Sequence, residues 1–339
     1  MRRMQRFRIR LCRVAIILLA GVGAVVGQAP TQPFVPQPII AGGQIVALFP
    51  PSSKYLKKER LGEAEQNNLQ KTVPGRIQSI VNIHNPSIEV HVVDPSNNTG
   101  AAVIVVPGGG HRTLNVGTEG ADQVPFFYNY GVATIILRNR LRQDGYVAET
   151  DAVYDAQQAV RIVRARAKEW NIDPQRIGMM GFSAGAELVA RAALFFDKFD
   201  ADSKAEADGA SGASSRPDFV ALIYPGPTPF AREPKPEVPR NTPAAFIATA
   251  GSGDAVHAVW ADEFFGALLK ARIPNLEMHV YGSGGHGNGM KDRNGTPFGT
   301  WQYRFIDWFR DLGFLGKPGV ETKAGKDTAA FVATPSTTK

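Results

Sequence analysis

The sequence predicts an α/β fold, a mostly parallel central sheet with helices on both faces. Three observations carry that expectation. Solid apolar runs of strand length recur at Ala101–Val106, Val132–Leu137, Phe219–Ile223 and Ala244–Ala250. Between them lie helical periodicities, clearest over Asp151–Lys168, where Val153, Ala156, Val160, Val163 and Ala167 share one face. Strands that are apolar throughout, and do not alternate, are the ones buried on both sides, as between two helical layers. Finally, the 339 residues, 43% hydrophobic and 20% charged, suffice for one large domain of this class.

In chain order, the first 27 residues stand apart. Arg2, Arg3, Arg6, Arg8, Arg10 and Arg13 precede the apolar run Val14–Val26, and no acidic residue lies among them. A basic start, an apolar stretch and then small residues read as a signal peptide over 1–27, with cleavage expected before Gln28. The apolar run is shorter than the ~18 residues of a spanning helix, and an uncleaved N-terminal anchor is the competing reading. Six of the 38 basic residues belong to this leader, so the rest nearly balance the 31 acidic ones. The net charge of +7 therefore gives no reason to expect nucleic acid, or a stable membrane partner once the leader is removed. The single cysteine, Cys12, also lies in the leader, so the exported chain has no disulfide and no thiol nucleophile. That suits a secreted or periplasmic protein.

Pro30, Pro33, Pro36 and Pro38 mark a linker, and Ser53–Gln70 is polar without clear period, so 28–71 reads as a linker and polar segment before a catalytic domain at 72–316. Ile77–Ile83 and Ile88–Val93, split by Asn85-Pro86-Ser87, predict a hairpin. Glu119–Tyr130 predicts a helix, as does Ala258–Arg272; Leu276–Tyr281 predicts a strand, and Trp301, Phe305, Trp308 and Leu312 a last amphipathic helix. Asp197–Ser215, rich in Ala, Asp, Ser and Gly, reads as a mobile surface insertion, and 317–339 as a disordered tail.

The chemistry gathers around Gly181-Phe182-Ser183-Ala184-Gly185. Gly-x-Ser-x-Gly between a strand, Arg176–Met180, and a helix, with Ala184, Leu188, Ala192 and Phe195 at helical spacing, is the sequence of a nucleophile elbow. The competing reading is a glycine-rich turn with an ordinary serine. A serine hydroxyl needs a base in hydrogen-bond reach to act as a nucleophile. Of six histidines, His84 and His91 precede the first central strand, and His279 lies inside a strand. His286, in Gly284-Gly285-His286-Gly287 after the last strand, is the candidate base, with His257 as its rival. Asp254, after the strand Ala244–Ala250, is the candidate acid; the rival readings are a helix N-cap at Asp254, or Asp262 as the acid. Ser, then acid, then His is the chain order of α/β-hydrolases.

Pro107-Gly108-Gly109-Gly110-His111 follows the strand Ala101–Val106. Its glycines let backbone N–H groups face a tetrahedral oxyanion, so Gly109 and Gly110, with Ala184, are the candidate oxyanion donors. A phosphate loop is disfavoured here, because this glycine segment carries neither Gly-Lys-Ser/Thr nor Gly-x-Gly-x-x-Gly. No His/Cys/Asp cluster has metal-ligand spacing, so neither a metal nor a cofactor is expected.

From about Val73 to Leu315 these pieces resemble a secreted bacterial α/β-hydrolase of the acetylxylan-esterase and feruloyl-esterase-like (BD-FAE-like) group. The matching stretches are Val106–Gly110, Glu119-Gly120, Gly131–Leu137 with Arg140-Leu141, Trp170–Gly178, the elbow, Ser215–Phe219, Tyr224-Pro225-Gly226 and Gly284–Gly287. The resemblance implies a serine carboxylesterase acting on short-chain, often acetyl, esters of small molecules or carbohydrates. It carries over Ser183, Asp254 and His286 as triad, and Gly109, Gly110 and Ala184 as oxyanion donors. Two positions depart from the pattern. His111 stands where an aromatic residue is frequent, and Ala186-Glu187 where Gly-His is frequent, which makes His111 and Glu187 the candidate substrate-binding residues. A prolyl-oligopeptidase-like peptidase shares the core, but the fewer than ~80 unassigned residues before it are too few for a propeller of ~40 residues per blade. A catalytically silent binding protein on the same fold is the remaining alternative.

Overall fold

The computed structural model describes residues 32–204, 208–232, 236–287, 289–290 and 297–335, so the leader lies outside the described residues. Among the described residues, ten strands and seven α-helices follow one another. β1 (Gln44–Ala47), β2 (Gln66–Leu69), β3 (Ile77–Val81), β4 (Ser87–His91) and β5 (Ala102–Val106) come first. Then α1 (Gln123–Tyr128), β6 (Ala133–Arg138), α2 (Val153–Ala165), β7 (Ile177–Phe182) and α3 (Ala184–Ser203) alternate. β8 (Phe219–Ile223), α4 (Pro229–Arg232), β9 (Ala244–Ala250), α5 (Ala255–Lys270), β10 (Leu276–Tyr281), α6 (Trp301–Asp311) and α7 (Lys323–Ala333) complete the order.

Eight strands form one sheet in the order β1-β4-β6-β5-β7-β8-β9-β10. The pairings β1/β4 and β4/β6 are antiparallel; all pairings from β6 to β10 are parallel. Alternate residues of each apolar run go to opposite faces. Ile104, Ile135, Met179 and Ile247 pack with α2, α3 and α5 on one face. Val103, Val105, Phe182, Phe219 and Phe246 pack with Phe127 of α1 and with Trp301, Phe305 and Phe309 of α6 on the other. Chain direction across the sheet reverses at β5: the next strand, β6, lies on one side and β7 on the other. The C-terminal ends of β5 and β7 flank that switch point, the place where open α/β sheets leave a crevice.

Four expectations need correction. The segments 77–83 and 88–93 make no hairpin with each other: β3 pairs with β2, while β4 sits between β1 and β6. Nor does the domain begin at 72. β1 adds the outer strand, and Leu48, Phe49, Leu56 and Leu61 are buried in the main core. The insertion 197–215 is mostly structured: α3 runs through Ser203, and beyond it Ala210 and Ser215 are buried. Asp208 holds it down, accepting from Arg161 at 2.6 Å and from Gln158 at 2.9 Å.

The stretch after 316 is ordered through residue 335, with Thr322 capping α7 by accepting from the N–H of Gly325 at 3.0 Å. Arg176, buried beside β7, anchors this stretch by donating to the carbonyls of Gly316 (2.8 Å), Lys317 (2.6 Å) and Val320 (2.6 Å). A fixed guanidinium fork satisfies several carbonyls at once, which a composition-based reading cannot register.

Candidate active site

β7 ends in the elbow. Ser183 has φ 52° and ψ −119°, a strained conformation for a residue with a Cβ. Its backbone is over-determined: the Ser183 N–H donates to Ile223 O at 3.0 Å, and its carbonyl accepts from Ala186 (3.0 Å) and Gly226 (3.1 Å). The flanking glycines are steric necessities. A Cβ at Gly181 would lie 2.6 Å from the Ala186 backbone, and one at Gly185 would lie 2.1 Å from Val106 O.

Ser183 Oγ lies 2.8 Å from His286 Nε2, and His286 Nδ1 lies 2.9 Å from Asp254 Oδ2. The three side chains come from the ends of β7, β9 and β10, at one rim of the sheet. Asp254 stands at the N-cap position of α5, but its side chain makes no capping hydrogen bond; its carboxylate turns to the imidazoles. The rival acid Asp262 lies within α5 and is exposed. His279 bonds Glu277 on β10, His84 is buried against Tyr146, and His91 bonds Glu89, all apart from Ser183.

The glycine loop passes directly beside the serine, for a Cβ on Gly108 would fall 2.9 Å from Ser183 Cβ. Gly109 has φ +127°, and a side chain there would meet Thr113 O at 2.1 Å. Gly110 opens onto free space. Ala184 is the first residue of α3, so its N–H has no acceptor within the helix and faces the end of the elbow. Three N–H groups thus belong to the two loops around Ser183 Oγ.

His111 and Glu187 do not point to solvent, being 5% and 9% exposed. His111 Nε2 sits 3.4 Å from Glu187 Oε2, and Arg232 of α4 donates to that same oxygen at 3.1 Å and to Glu149 at 2.6 Å. The Glu187 carboxyl lies against Gly226, whose N–H bonds the Ser183 carbonyl, so this chain of charges borders Ser183.

Three residues take up places at the site that the sequence reading does not assign them, the third being the rival base His257. Glu119 lies in a π-helical turn, Gly117–Ala121, that aims its carboxyl under the glycine loop, where it accepts from the Gly108 N–H at 2.8 Å. Burial pushes its pKa up. Tyr224 donates to Glu119 at 2.7 Å, accepts from the Gly289 N–H at 2.9 Å, and sets its ring edge against His286, 5.0 Å between centroids. Both residues stand in the stretches quoted for the family resemblance, the only sequence signal that marked them. The third is His257, whose Nδ1 lies 2.5 Å from Asp254 Oδ1.

Asp254, His257 and His286 also bring possible metal-ligand atoms within 4.8 Å of one another, a juxtaposition that sequence spacing had concealed. Their geometry suits a shared carboxylate better than an ion. The two imidazoles stack at 3.8 Å with a 22° tilt. Rings so nearly parallel cannot both aim in-plane lone pairs at one metal about 2.0 Å away. A surface cleft of about 680 Å³, lined by Pro95, Asn98, Arg164 and Pro318 among others, contains none of the triad. It opens at the N-terminal ends of β5 and β7, away from the rim where such sheets bind ligands.

Comparisons with known proteins agree with this architecture. Residues 89–245 match the BD-FAE domain family. An acetylxylan esterase from Xylanibacter ruminicola is 34% identical over 131 residues, 39% of this chain and 24% of that protein. An endo-1,4-beta-xylanase B from Butyrivibrio fibrisolvens is 29% identical over 208 residues, 55% of this chain and 32% of that one. The chain therefore spans about a quarter to a third of the length of these two relatives. An acetyl ester-xyloside bifunctional hydrolase from Caldicellulosiruptor lactoaceticus superposes with a TM-score of 0.61 at 25% identity, covering 81% of this chain and 98% of its own. A carboxylesterase from Lactobacillus plantarum shares the fold with a TM-score of 0.57 at 18% identity, over 75% of this chain and 99% of its own. By these likenesses together, residues 89–245 are similar to the BD-FAE family, and the chain has the fold of α/β-hydrolase esterases.

Proposed function

We propose that the protein is an exported serine carboxylesterase that hydrolyses short-chain, chiefly acetyl, esters, including those on xylan or other sugars. One observation carries the reading: the continuous hydrogen-bond chain from Ser183 Oγ through His286 to Asp254. In the proposed reaction His286 Nε2 takes the Ser183 proton as Oγ attacks the ester carbonyl. The oxyanion is met by the N–H groups of Gly109, Gly110 and Ala184, donors worth about 3 kcal/mol each in a transition state. Collapse breaks the ester C–O bond, and His286 returns its proton to the leaving alcohol. A water activated by the same base then hydrolyses the acyl-enzyme.

The carbohydrate preference rests on two supports. The acetylxylan esterase and the acetyl ester-xyloside hydrolase bear such activities in their names. The polar border of His111, Glu187 and Arg232 suits sugar hydroxyls better than an alkyl chain, whose burial would gain about 0.8 kcal/mol per methylene only in an apolar channel. Export rests on the arginine-rich, then apolar leader.

The test is turnover of p-nitrophenyl esters from two to about twelve acyl carbons and of acetylated xylo-oligosaccharides. Acetyl is expected to lead, with Ser183→Ala losing about 10⁴-fold or more. A folded Ser183→Ala protein with wild-type turnover would overturn the mechanism, and a maximum at long chains would overturn the substrate class.

A further inference from the structure

Helix α5 brings a second imidazole to the triad. Asp254 offers two oxygens, and each faces a different ring: Oδ2 lies 2.9 Å from His286 Nδ1 and Oδ1 lies 2.5 Å from His257 Nδ1. His257 follows Asp254 by three residues, so the first helical turn folds its ring back over the acid. The two rings stack at 3.8 Å between centroids. Trp260, another three residues on, packs against His257 in a T-shaped contact, 5.1 Å between centroids and at 89°.

The charged and titratable groups around His257 are Asp254 on its own turn, His286 beyond β10 and Glu187 of α3. Burial first, and then His286, push the His257 pKa below its ordinary value. Two cations stacked this closely would repel, so a proton on His286 requires a neutral His257. With a carboxylate as partner, that neutral ring carries its hydrogen on Nδ1 and donates it.

We infer that His257 is a positioning residue of the esterase reaction: its Nδ1–H holds one oxygen of Asp254 and its ring backs His286, keeping the other oxygen in line with the catalytic base. The inference rests on the proposed triad. A carboxylate with one partner can turn about its Cβ–Cγ bond and carry its acceptor off the imidazole. A second donor on the other oxygen prevents that turn. The same donor also draws off part of the carboxylate charge, so its loss would concentrate that charge on the oxygen facing His286.

The test uses the full-length protein, with His257→Phe, which keeps a ring but no donor, and His257→Asn, which keeps an N–H at the position of Nδ1. For His257→Phe, kcat is expected to fall on the order of 10- to 100-fold. KM should stay unchanged, and the acid limb of kcat/KM should move to higher pH. His257→Asn should return the acid limb to its wild-type position and recover most of kcat. Proton NMR of the Ser183→Ala protein should show two downfield imidazole N–H signals, one of which is lost on adding His257→Phe. An active wild type with an unimpaired His257→Phe variant, an unmoved acid limb, or a single downfield signal would each overturn this role alone. A wild type without ester turnover would overturn the esterase reading, and this role with it.

Discussion

Tyr224 donates its hydroxyl proton to Glu119 across 2.7 Å, and that carboxyl also receives the Gly108 N–H at 2.8 Å. One buried acid therefore ties the loop after β8 to the glycine loop after β5. Tyr224 also accepts from Gly289, three residues past His286. The two loops that flank Ser183 and the loop that carries His286 converge on this pair.

Tyr224→Phe is expected to cost about 1–3 kcal/mol of stability, since it leaves both Glu119 and the Gly289 N–H short of a buried partner. The sign of the pH dependence follows from Glu119, whose folded pKa lies above its ordinary value because of burial. Such a carboxyl contributes stability in acid that is lost as pH rises through the folded pKa. Removing the Tyr224 donor raises that pKa further, so the deficit should be wider at pH 8 than at pH 5. Urea unfolding at the two pH values checks it; an equal deficit at both would count against an ionising Glu119.

Glu65 provides a cleaner linkage. Its side chain is buried with only a 3.5 Å contact to Arg138, one oxygen lacks a partner, and burial raises its pKa to about 7. Charging it as pH rises from 4.5 through 7 therefore destabilises the fold. Glu65→Gln should leave stability nearly unchanged at pH 4.5 and raise it at pH 8 by up to about 3 kcal/mol, the equivalent of the shift. Chemical denaturation across that range is the measurement, and a variant less stable at pH 8 would refute it.

Arg176→Ala should free the chain from Gly316 onward. Three carbonyls there, and that of Thr99, lose their common donor. The expected loss is about 3 kcal/mol or more, with new proteolytic cleavage between 316 and 322 while esterase turnover at 25 °C is retained. Limited proteolysis followed by mass spectrometry locates the cut; a cut elsewhere would place the weak point wrongly.

The parts of the fold legible in the sequence were those that physics makes local. β8 and β9 are legible to the residue because each is a largely apolar run bounded by turn residues, and β10 because Leu-Glu-Met-His-Val-Tyr alternates apolar and polar positions. The elbow is legible because its two glycines flank the serine in one short window and Gly181 answers the nearby Ala186 backbone, although the contact Gly185 answers, Val106 O, is distant in the chain. β2 was missed because Gln-Asn-Asn-Leu is exposed throughout and has no face to bury. α7 was missed because Ala324 is the only buried residue it contributes. The insertion was misread because Arg161 and Asp208 pair across 47 residues, and no window of sequence contains both. At the site, the main candidates lay at predictable loop positions after strands. Glu119 and His257 gained their meaning only from the partners that the fold brought to them.

Helix α5 begins at Asp254 without a side-chain cap. Both oxygens that would ordinarily close its first turn are turned toward imidazoles instead. The end of a helix is where it frays first, and an uncapped end more readily. In this protein that fraying turn carries Asp254 and His257 together, so loosening it breaks their contacts with His286 while the sheet is still intact. Heat should therefore lower ester turnover before it melts the sheet, and a ligand that holds His286 in place should steady this helix end.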